Sequence, residues 1–233
     1  MKFDLRSWVT GYTFGLVGKP LPFIGISYTP VEYIQFTGSQ YIDTGILCNQ
    51  NTIIEAEFMR DTENAQYFYG ATSTDNKASV TAYLSTGAGN WRFGGTYASL
   101  TVSKGVKHTS VANVNGVKFD ATNKKYNGTV GTFVTPATLA LGTNHAESGT
   151  FSTSYFSGKV YSFKIYDGDA LVLDYAPVIT MEGEYGFYDS VSGRFCSSNS
   201  GVPLVGGGTI TKQALNTVSE NNDAMQDEEM QEV

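Results

Sequence analysis

The sequence predicts an all-β protein: a two-sheet antiparallel β-sandwich of the jelly-roll type, preceded by a short helix and followed by a disordered acidic tail. Three observations predict it. Charged residues are only 16% of the 233 residues, against about 25% in an average soluble domain. Gly (26), Tyr (15) and Phe (14) are abundant, as a chain of short strands and many turns requires. Between residues 31 and 196, apolar and polar residues alternate with a period of two, the spacing that gives a strand one buried and one solvated face.

Residues 1–30 read as a helix and a linker. Leu5, Trp8, Val9, Tyr12 and Leu16 recur at helical spacing and share one face. Asp4 suits the start of that helix, and Gly18 with Pro20 its stop. Lys2, Arg6 and the apolar run from Trp8 to Val17 have the outline of a signal peptide. Gly11 and Gly15 interrupt the run, however, and Lys19-Pro20 stands where a small-residue cleavage site belongs. The segment is therefore expected to be retained. So short a helix is marginal alone in water, which makes it an attachment element that needs a partner surface, on the same domain or on another chain. Residues 18–30 read as an extended linker marked by Pro and Gly.

The sandwich is expected over 31–196, with strands near 33–36, 41–43, 52–59, 66–71, 80–85, 90–94, 108–113, 117–121, 138–142, 158–166, 171–175 and 185–188. Turn chemistry separates them. Asn115-Gly116 is the strongest hairpin signal, since a type I′ turn favours that pair; Asn127-Gly128 and Asp167-Gly168-Asp169 read as turns as well. In 52–59, Ile54, Ala56 and Phe58 oppose Glu55 and Glu57; in 158–166, Tyr161, Phe163 and Ile165 oppose Ser162 and Lys164. Half-buried strands of this kind pack as two antiparallel sheets, not as a parallel sheet with crossover helices. Residues 197–233 read as a loose Gly-rich arm and an acidic, aromatic-free tail for which disorder is the default.

Charge and cysteines exclude some classes. The net charge is −7, but six of the 22 acidic residues follow Lys212, so the rest of the chain is close to neutral. The sequence contains no basic run, which argues against nucleic acid, and no apolar stretch of the ~18 residues a membrane span needs. Cys48 and Cys196 lie far in sequence from His108 and His145, against a tetrahedral metal site. A disulfide and two buried thiols both fit.

Three stretches carry a resemblance. VEYIQFTGSQYIDTG (31–45) resembles the opening strands of concanavalin-A-like, laminin-G-like domains of gut bacterial surface proteins and their phages. GKVYSFKIYDGDALVLDYAPVITMEGEYGFYDSVSGRF (158–195) resembles their closing hairpin. The opening MKFDLRSWVTGYTFGLVGKPLP (1–22) resembles the amino-terminal tags of small phage structural proteins. The resemblance implies a concanavalin-A-like sandwich, a fold that hosts lectins, adhesins, hydrolases and structural modules alike.

Catalytic constellations are scarce. Glu55 and Glu57 share a face, but the central Asp and third Glu that glycosidases of this fold carry are missing, so a solvated strand face is the reading. His108 and His145 sit in no nucleophile elbow and read as surface residues. Asp167, Asp169 and Asp174 are close enough in sequence to suggest calcium, yet Asp167-Gly-Asp169 is also hairpin chemistry; no cofactor is expected. What remains is sugar recognition, in which aromatic rings stack under sugars and amides or guanidinium groups flank them. Asn90, Trp91, Arg92 and Tyr97 supply those groups at a strand edge, and Asn144 and His145 lie on a second loop that would converge with them. Trp91 fits a core position between the sheets equally well. Of Tyr67, Phe68 and Tyr69, at least one must face outward. The expected function is that of a non-catalytic phage virion protein (head or tail fibre, or decoration) adhering to host-surface polysaccharide. Its further partners would be other virion proteins, engaged through the N-terminal helix, and copies of itself; its place is the virion or, failing that, a cell surface. A purely structural assembly protein and a bacterial adhesin or glycan hydrolase are the alternatives.

Overall fold

Alternation along the chain decides which side chains point inward, and it does so on strand after strand. The computed structural model describes residues 28–209. In chain order come β1 (Tyr28–Thr37), β2 (Ile42–Asp43), β3 (Thr52–Arg60), β4 (Gln66–Thr72), β5 (Val80–Ser85) and β6 (Ala88–Phe93). There follow β7 (Thr96–Thr101), β8 (His108–Asn113), β9 (Gly116–Phe119), β10 (Thr122–Lys124), β11 (Ala140–Leu141) and β12 (His145–Ala146). The last are β13 (Ser157–Asp167), β14 (Ala170–Thr180), β15 (Tyr185–Asp189), β16 (Arg194–Cys196) and β17 (Val205–Thr209). No helix occurs among the described residues. The attachment helix expected from Leu5, Trp8, Val9, Tyr12 and Leu16, and the acidic tail, lie outside them.

The strands form two sheets. The larger runs β10-β9-β8-β3-β13-β1-β14-β15-β16, with β17 added beside β1; the smaller runs β2-β11-β4-β5-β6-β7, with β12 beside β4. All pairings are antiparallel except the short one between β12 and β4. This is the expected two-sheet antiparallel sandwich. On β3, Ile54, Ala56 and Phe58 face inward while Glu55 and Glu57 face out, as the alternation predicts. The sheets meet through aromatic rings. Phe58 stacks on Phe68 of β4 at 4.2 Å between centroids, and Phe156 lies 5.0 Å from Phe68. Trp91 of β6 packs on Phe119 of β9 at 5.1 Å.

Four local expectations change. First, β1 begins at Tyr28, inside the segment read as linker, because Tyr28 to Pro30 pair with the far end of β14. Second, residues 205–209, read as part of a loose arm, form β17, with Tyr33 opposite Gly207 and Gln35 opposite Val205. Here the glycines are required by space: a Cβ on Gly206 would run into the Tyr185 ring, and one on Gly207 would lie 2.5 Å from the Tyr33 hydroxyl. Third, Asn115-Gly116 does mark a hairpin, but Asn113 already pairs with Gly116, so the turn is Val114-Asn115; the Asn113 side chain accepts the Asn115 N–H and sets that register. Fourth, Tyr161 faces outward, not inward with Phe163. The register against β3 shifts between Val160 and Ser162, and such a bulge returns the next residues to the opposite face.

One buried cation ties the smaller sheet to the larger. Arg60, at the end of β3, is fully buried and crosses the core. Its guanidinium donates to the carbonyls of Ser85 and Val102, at 2.5 Å each, and pairs with Glu63 at 2.7 Å. Glu63 in turn accepts the Gly87 N–H at 2.6 Å, so the β5–β6 hairpin is fixed at its tip. Arg60→Ala is expected to lower the unfolding free energy by roughly 3 kcal/mol, read as a fall in the urea midpoint at unchanged slope. Arg60→Lys should recover little of this, because one ammonium cannot reproduce the fork; a lysine variant as stable as the parent would refute the assignment.

Candidate functional site

The outer face of the smaller sheet is built from two cross-strand rows. Register places Tyr67, Tyr83, Asn90 and Ser99 side by side on β4, β5, β6 and β7. The next row on the same face holds Gly70, Thr81, Arg92 and Tyr97. Paired residues point to the same side of a sheet, so these side chains converge over a width of roughly 14 Å at about 4.8 Å per strand. A shallow open groove of about 280 Å³ lies among them, with Thr72 and Asn76 at one end. The tyrosines give it rings, 4.8 Å apart for Tyr67 and Tyr83, and Tyr97 is 47% exposed.

The polar groups are partly committed. Asn90 Oδ1 accepts the Ser99 hydroxyl at 2.5 Å, which leaves the amide NH₂ as the donor toward the groove. Asn127 receives the Tyr97 N–H on Oδ1 at 2.9 Å and gives its own N–H to Tyr97 O at 3.0 Å. The pair Asn127-Gly128 is thus not a hairpin turn: it caps the free edge of β7 beside the groove. Burial first, and then Tyr83, raise the Tyr67 phenol above its ordinary range, while Arg92 works the other way; the phenol is neutral at physiological pH.

Of the residues singled out in the sequence, Asn90, Arg92 and Tyr97 come together in the groove. Trp91 does not. Its exposure is 0%, because the pleat that turns Asn90 and Arg92 outward turns Trp91 inward, and Gly89 makes room for it: a Cβ there would be 2.5 Å from the indole. Asn144 is buried at the groove's flank, over Gly70, with Nδ2 donating to Thr72 Oγ1 at 2.9 Å. His145 does not line the groove. It stacks on Phe151 at 4.2 Å and its Nδ1 meets Thr138 at 3.1 Å. Tyr67 is the member of its aromatic triplet that faces out, with Phe68 and Tyr69 in the core. Tyr83 was missed, although Thr81, Tyr83 and Ser85 alternate with Val80, Ala82 and Leu84 in the sequence.

Elsewhere, His108 is buried, not a surface residue: it begins β8 on the inward face, packs 4.8 Å from Phe119 and bonds Asp120 at 2.8 Å. Glu55 and Glu57 lie on the outer face of the other sheet, Glu55 receiving the Tyr166 hydroxyl at 3.3 Å and Glu57 pairing with Lys107 at 2.8 Å. Cys48 and Cys196 are both free, and burial pushes the Cys48 thiol up to about 12. Among the described residues no three His, Cys, Asp or Glu side chains gather to hold a metal ion. Asp174 instead pairs with Lys164 at 3.4 Å.

No family model matches the sequence, and no curated protein matches it. Among solved structures, the chain is similar to a heptameric SAP-like pentraxin from Limulus polyphemus, at 14% identity and a TM-score of 0.36, covering 64% of this chain and 73% of that one. It is also similar to domains LG4-5 of the mouse laminin alpha1 chain, at 13% identity and a TM-score of 0.41, covering 70% of this chain and 49%, about half, of that one. Neither is a phage protein. The architecture is therefore stated from its own strands, as an all-β, two-sheet antiparallel sandwich.

Two outcomes check the placements. Trp91→Ala is expected to destabilise the protein by about 3–5 kcal/mol, seen as a lower Tm; an unchanged Tm would show that the indole is not core. Burial raises the Asp120 carboxyl, yet the Thr109 N–H and His108 outweigh it and hold the group below its ordinary value. A depressed carboxylate stabilises above its unfolded value, and the gain is lost as pH falls through the folded one. The stability gap between the parent and Asp120→Asn is therefore expected to narrow below about pH 4, with chemical denaturation as the readout; a gap independent of pH between 6 and 2 would contradict it.

Proposed function

We propose that this chain is a non-catalytic carbohydrate-binding protein that holds glycan across the outer face of its smaller sheet. The observation that carries this is the paired Tyr67 and Tyr83, flanked by Asn90, Arg92 and Tyr97, on one open face. Exposed rings supply apolar area with a polar tip, and sugars present both C–H faces and hydroxyls to match. Among the described residues the groove's lining holds no carboxylate, whereas glycoside hydrolysis uses a pair; Glu55 and Glu57 face away from it and are engaged by Tyr166 and Lys107. The similarity of residues 1–22 to phage structural proteins supports a more specific setting. In it the sandwich is displayed on a virion, adheres to host-surface polysaccharide, and is attached to other virion proteins by its N-terminal segment.

The full chain is expected to be retained on a panel of bacterial surface polysaccharides. Tyr83→Ala should weaken retention roughly tenfold at an unchanged Tm, and Tyr83→Phe should keep most of it. If the parent chain is retained by none of them, the carbohydrate reading falls and a purely structural role in assembly takes its place.

A further inference from the structure

Resting on the carbohydrate reading, we propose that the glycan is acidic: the groove takes a saccharide bearing a carboxylate or a sulfate ester, and Arg92 is the residue that recognises it. Among the described residues Arg92 is the only charged one lining the groove. Among the described residues it has no carboxylate within ion-pair distance, whereas Arg60, Lys77, Lys107 and Lys164 each have one.

The acids at the Thr72–Asn76 end of the groove are themselves engaged, each giving one carboxylate oxygen to backbone N–H and hydroxyl donors. Asp75, next to the groove residue Asn76, accepts the Lys77 N–H and the Ser73 hydroxyl, each at 2.9 Å. Glu147, at the same end, accepts both the N–H and the hydroxyl of Thr74, at 2.8 and 2.9 Å. Those bonds hold both carboxyls below their ordinary range.

The neutral groups add donors. Asn90 presents its NH₂ because its oxygen is taken by Ser99. The hydroxyls of Tyr67 and Tyr83 have no hydrogen-bond partner among the described residues. A lining rich in donors, with one free guanidinium, complements a ligand rich in acceptors with a negative charge. The planar fork of arginine matches a carboxylate or sulfate in two parallel bonds. A neutral glycan would leave that charge without a partner, so discrimination against neutral chains follows from the same geometry.

The test uses the full chain and four probes: polygalacturonate, its carboxyl-reduced neutral counterpart, dextran sulfate and dextran. Arg92→Gln, Arg92→Lys and Tyr83→Ala are compared with the parent at matched Tm. The parent is expected to bind at least one acidic probe roughly tenfold or more tightly than its neutral counterpart, and the preference should fade with added salt. Arg92→Gln should abolish it by lowering binding to the acidic probe far more than to the neutral one; Arg92→Lys should restore it in part. Polygalacturonate against dextran sulfate tells carboxylate from sulfate. Equal binding of acidic and neutral probes, or a preference that survives Arg92→Gln, overturns the inference and leaves carbohydrate binding standing. If none of the four probes binds, the inference falls, and retention on the bacterial polysaccharide panel decides the carbohydrate reading separately.

Discussion

Trp91 against Phe119, and Phe58 against Phe68, are the contacts on which the two sheets rest. Each pairs a ring from the smaller sheet with one from the larger, and all four are almost fully buried. A strand has a side-chain period of two, so seating Trp91 inward leaves Asn90 and Arg92 no choice of direction. The same holds for β5, where Val80, Ala82 and Leu84 are buried and Thr81 and Tyr83 reach the outer face. The groove is thus the reverse side of the core. Its side chains are aimed by packing on the other face of the sheet, because moving Arg92 or Tyr83 by one position would drive a polar group between the sheets.

Two arginines show how placement decides use. Arg60 gives its donors to Ser85 and Val102 carbonyls and to Glu63, fully out of water. Such a group is costly to bury and costlier to leave unpaired, so it enforces the approach of the two sheets at the β5–β6 hairpin. Arg92, on β6 of the smaller sheet, lies on that sheet's outer face, and among the described residues its donors are uncommitted. The first fixes the scaffold and the second faces outward from it, a division between rigid support and recognition that suits a preorganised site.

The fold was legible where alternation was unbroken. The strand expected over 52–59 and the Asp167-Gly168-Asp169 hairpin read correctly because pattern and turn chemistry agree there. It was illegible where a residue's role depends on a distant partner. Gly206 and Gly207 look like a flexible run, yet they are a strand because the rings of Tyr185 and Tyr33 need the space, and neither ring is near them in sequence. Tyr161 departs from its pattern through a bulge against β3, which no local residue announces. Residue type and loop position picked out Asn90, Arg92 and Tyr97, which come together in the groove, but also Trp91, whose inward face was fixed by Gly89 and Phe93 beside it. Tyr83 shows the converse: its outward direction was present in the alternation, and attention to motifs passed over it.

The shape of the groove limits how it can work. It is shallow and open, lies on a sheet and not in a crevice, and covers roughly 14 Å between β4 and β7. A ligand there keeps much of its own surface in water, so each saccharide contact contributes little and the cost of association is barely offset at a single site. Two properties compensate. The lining, Asn76 excepted, is held by strands and not loops, so few rotamers are ordered on binding; and an open groove lets a polymer run through it and present the same group again and again. Under the carbohydrate reading, useful retention therefore arises from repetition, either of the sugar along one chain or of the protein on one particle, since linked weak contacts gain by effective concentration what a single contact lacks. A repeating acidic polymer facing an array of such grooves satisfies both conditions, and a short neutral oligosaccharide satisfies neither.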